Sequence, residues 1–120
     1  MKKILLAIAL AFGLTAGVAA CSPGESYSVT DDTVIIDVRT PQEFATGHLV
    51  GAINIDVQSP DFRDRVMALD TDGDYFIYCR SGNRSGQAIA QMSQMGFTEM
   101  KNGGSVKQAS DMSGISVIIP

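Results

Sequence analysis

Apolar runs alternate with polar, turn-prone segments along most of the chain, and this alternation predicts its secondary structure. Thr33–Val38 and Tyr75–Tyr78 are continuous apolar runs rich in β-branched or aromatic residues, which is typical of buried strands. Val50–Ile55 and Phe97–Met100 are shorter strand candidates. The apolar ending Ile115–Pro120 is compatible with an edge strand, a cover over one face or a partner contact.

Helix signals lie between these predicted strands. Thr40–Glu43 combines an N-cap threonine, a proline at the first helical position and the glutamate of a capping box, so it predicts a short helix. Phe62–Leu69 and Ser85–Met95 have helical spacing of apolar residues, and Val106–Met112 predicts one or two helical turns after a turn at Gly103-Gly104. Alternating strands and helices favour an α/β fold, with a small parallel sheet flanked by helices on both faces.

The segment before the first strand has a different character. Met1–Lys3 is positively charged, Ile4–Ala20 carries no charge, and the segment ends in small residues, which predicts a secretory signal peptide at residues 1–20. Its apolar part is short and interrupted by glycine, which argues against a transmembrane anchor.

Val18–Cys21 resembles the lipobox of bacterial lipoproteins, in which the cysteine becomes the lipidated first residue. The resemblance implies a lipoprotein-type signal, a lipidated Cys21 and a short tether at residues 21–26. Ser22 at the next position implies attachment to the outer membrane, facing the periplasm. Ordinary cleavage before Cys21 is the alternative interpretation.

Charge limits the possible partners. The full chain has 9 basic and 13 acidic side chains and a net charge of -4; without Lys2 and Lys3 there are 7 basic and 13 acidic, a net charge of -6. An acidic domain is a poor partner for nucleic acid or an anionic lipid surface. Positive charge for binding an anionic substrate must therefore be local.

Cys79 lies at the end of the predicted strand Tyr75–Tyr78, where ligand sites of parallel sheets are found. Its loop, Arg80-Ser81-Gly82-Asn83-Arg84, leads directly into a helix, whose first N–H groups favour an anion. Gly82 permits a positive φ, so successive amides can converge on the sulfur, and two arginines add positive charge. These features predict a reactive thiolate, whereas a buried, inert cysteine is the alternative.

Two stretches resemble the signature regions of the rhodanese domain: "IIDVRTPQEFATGHLVGAINI" (Ile35–Ile55) and "YCRSGNRSGQAIAQMSQMGFTEMKNGG" (Tyr78–Gly104). The likeness covers about residues 27–112 and implies a rhodanese-like domain at residues 27–120. It also implies a thiosulfate sulfurtransferase in which Cys79 is the nucleophile and holds sulfane sulfur as a persulfide. The same likeness assigns substrate binding to Arg80, Ser81, Gly82, Asn83 and Arg84.

The implied reaction takes sulfur from thiosulfate or another sulfane-sulfur donor and passes it to cyanide or a thiol, with no metal or organic cofactor. The likeness further implies a structural role, supporting the loop, for Asp37, Arg39, Glu43 and His48. Arg39 and Glu43 are four residues apart, so an ion pair between them is one expectation. For His48, a general base acting on Cys79 is the alternative.

Other functions remain open from the sequence. The domain is alternatively a persulfide carrier that hands sulfur to a partner protein. Cysteine phosphatases and arsenate reductases on a related fold need an arginine six residues after the cysteine, where this chain has Ser85; Arg84 comes one residue early. The acidic run Asp70–Asp74 lacks the spacing of a calcium loop, so no metal site is predicted.

One departure from the rhodanese pattern concerns the wall of the site. Rhodanese domains usually carry a bulky aromatic residue shortly after the glycine pair, whereas this chain has Ser105–Ala109 after Gly103-Gly104 and contains no tryptophan. A more open site with a different acceptor preference is expected.

Overall fold

The computed structural model describes residues 26–120; the predicted signal segment, Cys21 and all of the tether except Ser26 lie outside this range. Four parallel strands form the main sheet in the order β3-β1-β4-β5, and β2 pairs with β6 in a separate antiparallel ribbon. Among residues 26–120, no helix has the length and apolar character needed to cross a bilayer. The elements are β1 (Thr33–Asp37), α1 (Pro41–Ala45), β2 (His48–Leu49), β3 (Ile53–Asn54), α2 (Phe62–Met67), β4 (Asp74–Tyr78), α3 (Asn83–Gln94), β5 (Glu99–Gly104), α4 (Val106–Ser113) and β6 (Val117–Ile118).

Both faces of the parallel sheet are buried, as an α/β fold requires. Along β4, the side chains of Tyr75, Ile77 and Cys79 pack on the face covered by α2 and α3. Those of Phe76 and Tyr78 pack on the opposite face with α4 and β2. Since successive side chains of a strand alternate between faces, this alternation directs the Cys79 side chain beneath the start of α3.

The predicted capping box of α1 is confirmed. The Thr40 hydroxyl accepts from the Glu43 N–H at 3.2 Å, and the Glu43 carboxylate accepts from the Thr40 N–H at 3.1 Å. These two bonds satisfy amides that a helix start otherwise leaves unpaired. They also fix the Glu43 side chain at the amino end of the helix, where it is available for a further contact.

Several predicted boundaries are wrong, among them the start of the strand expected at Phe97–Met100, which begins at Glu99. The strand expected at Val50–Ile55 is reduced to Ile53–Asn54, because residues 50 and 51 form a turn. The helix expected from Ser85 begins two residues earlier, at Asn83. β5 continues through the turn expected at Gly103-Gly104, because the Cys79 N–H donates to the Gly104 carbonyl at 2.9 Å and keeps the strands paired.

The C-terminal segment contains an edge strand, which confirms one of the three interpretations of its sequence. Val117 pairs with Leu49 in antiparallel register, and the Val50 N–H donates to the Ser116 carbonyl at 3.0 Å. Side chains of Val117 and Ile119 lie close over Gly47, where an added methyl group would be 3.5 and 3.6 Å from them. The tail therefore covers the segment that connects α1 to β2.

Candidate active site

Cys79 is fully buried directly after β4, and its sulfur receives hydrogen bonds from the loop that follows. The Gly82 N–H donates to Cys79 Sγ at 2.9 Å, and the Ser85 hydroxyl lies 3.4 Å from the same sulfur. Burial raises the pKa of the thiol, but hydrogen bonds from the Ser85 side chain and from the amides of Ser85, Ser81 and Gly82 outweigh it. The pKa of Cys79 is therefore lowered. These hydrogen bonds therefore stabilise the thiolate form of Cys79 relative to a free cysteine.

Gly82 gives the loop its shape. Its φ is +94°, in the left-handed region, and it is the N-cap of α3. A Cβ at this position would lie 3.3 Å from the Gly104 Cα, so the loop packs directly against the backbone of β5. Glycine is required here both for its conformation and for this close approach. The resulting turn aims the Gly82 N–H at the sulfur.

Arg84 does not project freely into the site. Its guanidinium forms two hydrogen bonds with the Glu43 carboxylate, at 2.7 and 2.9 Å. The Arg84 guanidinium and the Thr40 hydrogen bonds lower the pKa of Glu43 to about 2 despite partial burial. The expectation of an ion pair between Arg39 and Glu43 is therefore wrong. Glu43 pairs with Arg84, and Arg39 pairs with Asp37.

Arg39 pairs with Asp37 on the sheet face opposite Cys79. The Arg39 Nη2 lies 2.6 Å from the Asp37 carboxylate, and it also donates to the Gly47 carbonyl at 2.7 Å. The Tyr78 hydroxyl accepts from the Leu49 N–H at 3.0 Å. Burial, with smaller contributions from Asp37, raises the pKa of Tyr78. This buried network joins β1, β4 and β2 behind the loop.

His48 is held by α1. Its Nδ1 lies 2.9 Å from the Phe44 carbonyl, and its ring stacks on that of Phe44 with centroids 3.6 Å apart. Among residues 26–120, no hydrogen bond joins His48 to Cys79. The imidazole therefore links the short helix to β2.

The other three loop residues, Arg80, Ser81 and Asn83, are exposed. Ser81 and Asn83 are exposed and contact each other, with the Asn83 N–H 3.4 Å from the Ser81 hydroxyl. Arg80 is exposed and makes neither an ion pair nor a side-chain hydrogen bond with residues 26–120. Since Arg84 is paired, the uncompensated positive charge of this loop belongs to Arg80.

An open groove of about 410 Å³ adjoins the loop. Among residues 26–120, no aromatic residue lines it, in agreement with the missing aromatic residue after the glycine pair. Two of its lining residues belong to α4, Gln108, which caps the start of that helix, and Met112. The lining residues are Ser81, Gly82, Asn102, Gly103, Gly104, Gln108 and Met112.

Two residues of this site were not assigned a role from the sequence. Ser85 is fully buried, and its hydroxyl lies 2.7 Å from Asn102 Oδ1 as well as near the sulfur. The Asn102 Oδ1 also accepts from the Gly104 N–H at 2.9 Å, and its Nδ2 donates to the Gly82 carbonyl at 3.1 Å. The sequence feature that could have indicated a role for Asn102 is its position near the carboxyl end of a predicted strand, because ligand sites of parallel sheets cluster there.

The described residues contain no group of three or more His, Cys, Asp or Glu side chains placed to hold a metal ion. What the geometry provides is a buried sulfur that accepts hydrogen bonds, beside a positively charged loop residue and an open groove. Such an arrangement suits nucleophilic attack by a thiolate on an anionic substrate.

Comparison with known proteins gives consistent matches. Residues 25–106 match the family described as the Rhodanese-like domain. The thiosulfate sulfurtransferase PspE of Escherichia coli is 36% identical over 106 residues, which are 88% of this chain and 89% of PspE. A sulfurtransferase of Allochromatium vinosum is 34% identical over 93 residues, 76% of this chain and 83% of that protein.

Solved structures show the same fold. A rhodanese from Escherichia coli, solved with anions, superposes with a TM-score of 0.62 and 31% identity, over 73% of this chain and 99% of that chain. A rhodanese-related protein from Thermoplasma volcanium has a TM-score of 0.60 and 26% identity, over 80% of this chain and 99% of that chain. The α/β architecture predicted from the sequence is therefore confirmed.

Proposed function

Because the chain belongs to the rhodanese-like domain family, we propose that it is a thiosulfate sulfurtransferase that carries sulfane sulfur as a persulfide on Cys79. Relatives named sulfurtransferase support the general activity, and the name of the Escherichia coli relative suggests thiosulfate. The observation that carries the proposal is the environment of the buried Cys79 sulfur. The Gly82 N–H donates to this sulfur at 2.9 Å, and the pKa of the Cys79 thiol is lowered.

The proposed reaction has two half-reactions. The Cys79 thiolate attacks the outer sulfur of thiosulfate, a new S–S bond forms, and the bond to the sulfonate sulfur breaks with its electron pair leaving on sulfite. A nucleophilic acceptor then attacks the outer sulfur of the persulfide. The electron pair of the broken bond returns to Cys79 Sγ, which regenerates the thiolate. This is a ping-pong cycle with a covalent intermediate.

The loop residues divide this work. Amides of the loop stabilise negative charge on the sulfurs, as converging N–H groups at a helix start do. Arg80, whose charge is not compensated by a described residue, attracts the thiosulfate dianion. Arg84 holds the loop to α1 through Glu43. Ser81 lines the groove beside the loop, and Asn83 is exposed close to it.

We propose cyanide or a low-molecular-weight thiol as acceptor. The groove beside the loop is open and none of its described lining residues is aromatic, so it suits a small nucleophile approaching over Gly82 and Gly104. The cycle needs no metal or organic cofactor, since Cys79 itself carries the transferred sulfur and no electrons are gained or lost overall.

The test is thiocyanate formation from thiosulfate and cyanide by the purified full-length chain, with Cys79→Ser measured in parallel. Turnover that disappears in the variant is the expected result. Absence of turnover from folded protein with a reduced Cys79 would exclude thiosulfate as the donor. The relatives do not favour a phosphatase or a dedicated persulfide carrier. Slow transfer to cyanide together with fast transfer to a partner protein would nevertheless favour the carrier.

We further propose that the protein is exported and lipid-anchored through Cys21 at the periplasmic side of the outer membrane. The support is the sequence of residues 1–22, and the tether leads to Tyr27, which is attached to the domain. The Tyr27 N–H donates to the Met112 carbonyl at 2.8 Å, and its ring stacks on Phe76 at 5.1 Å. Incorporation of labelled palmitate that is lost in Cys21→Ala is the expected result; unlabelled wild-type protein would exclude the anchor.

A further inference from the structure

The Ser85 hydroxyl stands between two acceptors. It lies 2.7 Å from Asn102 Oδ1 and 3.4 Å from Cys79 Sγ. A serine hydroxyl has a single hydrogen, so it donates to only one of these atoms at a time. Ser85 is fully buried, which leaves the hydroxyl no alternative partner in solvent. Its orientation is therefore decided by which of the two acceptors is stronger.

The orientation of the Asn102 amide is determined by its other contacts. Its Nδ2 donates to the Gly82 carbonyl at 3.1 Å, and its Oδ1 accepts from the Gly104 N–H at 2.9 Å. Reversing the amide would place two donors, or two acceptors, against each other at these positions. Oδ1 therefore faces Ser85 in every state in which the loop stays packed on β5.

We propose that Ser85 and Asn102 act together as positioning residues for Cys79, with the Ser85 hydroxyl donating to Sγ in the thiolate and to Asn102 Oδ1 in the persulfide. A hydrogen bond to an ionised acceptor is stronger than one to a neutral acceptor. The thiolate consequently draws the hydroxyl away from Asn102. When the charge leaves Sγ, the hydroxyl returns to the amide and remains paired.

This role rests on the proposed function and assigns the pair to both half-reactions. In the first, the Cys79 Sγ–S bond forms and negative charge leaves Sγ, so the hydroxyl turns to Asn102. In the second, the Sγ–S bond breaks, its electron pair returns to Sγ, and the hydroxyl turns back. Ser85 thereby stabilises the leaving group of the second step, while Asn102 prevents an unpaired buried hydroxyl in the intermediate.

The pH dependence of Cys79 alkylation by iodoacetamide tests this assignment without requiring sulfur transfer. Ser85→Ala is suited to a helix, so it should fold. We expect its alkylation midpoint to rise by about one pKa unit, which corresponds to about tenfold less thiolate below the midpoint. Ser85→Thr, which retains a hydroxyl, should restore most of the shift. Ser93→Ala, at an exposed serine of the same helix, is the matched control.

The variant Asn102→Ala distinguishes a positioning role of Asn102 toward the Ser85 hydroxyl from a general loosening of the Cys79 loop. It removes the competing acceptor, so the alkylation midpoint should stay at the wild-type value or fall. Its kcat/KM should nevertheless decrease, because the Gly82 carbonyl and the Gly104 N–H lose their partner.

Two results would overturn the assignment: a Ser85→Ala midpoint equal to that of Ser93→Ala, or an Asn102→Ala midpoint raised as far as that of Ser85→Ala. Wild-type protein that is inactive with thiosulfate but shows the expected midpoints would reject the proposed substrate and leave the role of Ser85 in place.

Discussion

Arg84 and Glu43 lie 41 residues apart in the sequence and form a two-point ion pair, with Nη1–Oε1 and Nη2–Oε2 distances of 2.7 and 2.9 Å. Glu43 simultaneously caps α1 through Thr40. The pair therefore joins the first turn of α3, which follows the Cys79 loop, to the first turn of α1. Two-point arginine–carboxylate contacts define orientation as well as distance, so this pair limits how far the loop can move.

Glu43→Gln tests the contribution of this ion pair to stability. Glutamine can still complete a capping box, so the change removes mainly the charge. At neutral pH we expect a loss of about 1 kcal/mol in the free energy of unfolding, since the pair is partly exposed. Urea unfolding measures it, with Asp64→Asn, an exposed carboxylate of α2, as the control.

The same pair predicts a pH dependence. The pKa of Glu43 is lowered from 4.5 to about 2, so its stabilisation is fully present above about pH 4.5 and is lost as the pH falls toward 2. The difference between wild type and Glu43→Gln should therefore close over this window. A difference that stays constant down to pH 2 would contradict the assignment.

Arg80 and Arg84 should differ in what they affect. Arg80→Gln should raise KM for thiosulfate about three- to tenfold with little change in kcat, because Arg80 contributes charge rather than packing. The effect should shrink in high salt, which screens exposed charges. Steady-state kinetics at two ionic strengths measures both, with Arg63→Gln, at an exposed arginine of α2, as the control.

Arg84→Gln should instead lower the free energy of unfolding, because Glu43 loses its partner. Equal losses of stability in Arg80→Gln and Arg84→Gln would contradict the assignment of a stabilising ion pair to Arg84 and of a charge without a described partner to Arg80.

Short-range patterns predicted much of the fold. Thr33–Val38 is a strand in the structure except for Val38, and all of Tyr75–Tyr78 is a strand, which begins one residue earlier at Asp74. The capping box of Thr40–Glu43 has the expected bonds. These features depend on neighbouring residues, whose spacing the sequence displays directly. The two-residue pairing of His48–Leu49 with Val117–Ile118 was not predicted. Strands so short carry no periodicity of their own and depend on the contact between distant segments.

The same distinction applies to the candidate site. The strand, loop and helix around Cys79 are contiguous, and their arrangement was predicted from composition and order. The ion-pair partners of Arg84 and Arg39 were not predicted, because the spacing of four residues favoured an ion pair between Arg39 and Glu43. Asn102 was missed because its contacts with Gly82 depend on which strand lies beside β4, and the sequence does not state the strand order.

Two glycines near the loop should respond oppositely to alanine. Gly82 has a φ of +94° and Gly104 close by, so Gly82→Ala should cost about 1–2 kcal/mol in folding free energy and raise the alkylation midpoint of Cys79. Gly86 lies within α3, where an added Cβ would be in ordinary contact at 3.7 Å from Asn102 Nδ2. Gly86→Ala should stabilise by about 0.5–1 kcal/mol. Urea unfolding measures the change in the free energy of unfolding for each variant. A change of the same sign in both variants would contradict the loop geometry described for Gly82.

The buried pair of Asp37 and Arg39 should be far more important for stability than an exposed pair of similar length. Asp37→Asn leaves Arg39, whose side chain is 7% exposed, without a compensating charge, and we expect a loss of about 3–5 kcal/mol in the free energy of unfolding. Asp111→Asn is the matched control. It disrupts a 2.8 Å pair with Lys107 whose side chains are 84% and 65% exposed, so no measurable change is expected. Urea unfolding of both variants gives the comparison, and a similar small loss in each would mean that the network behind the loop does not depend on the Asp37 charge.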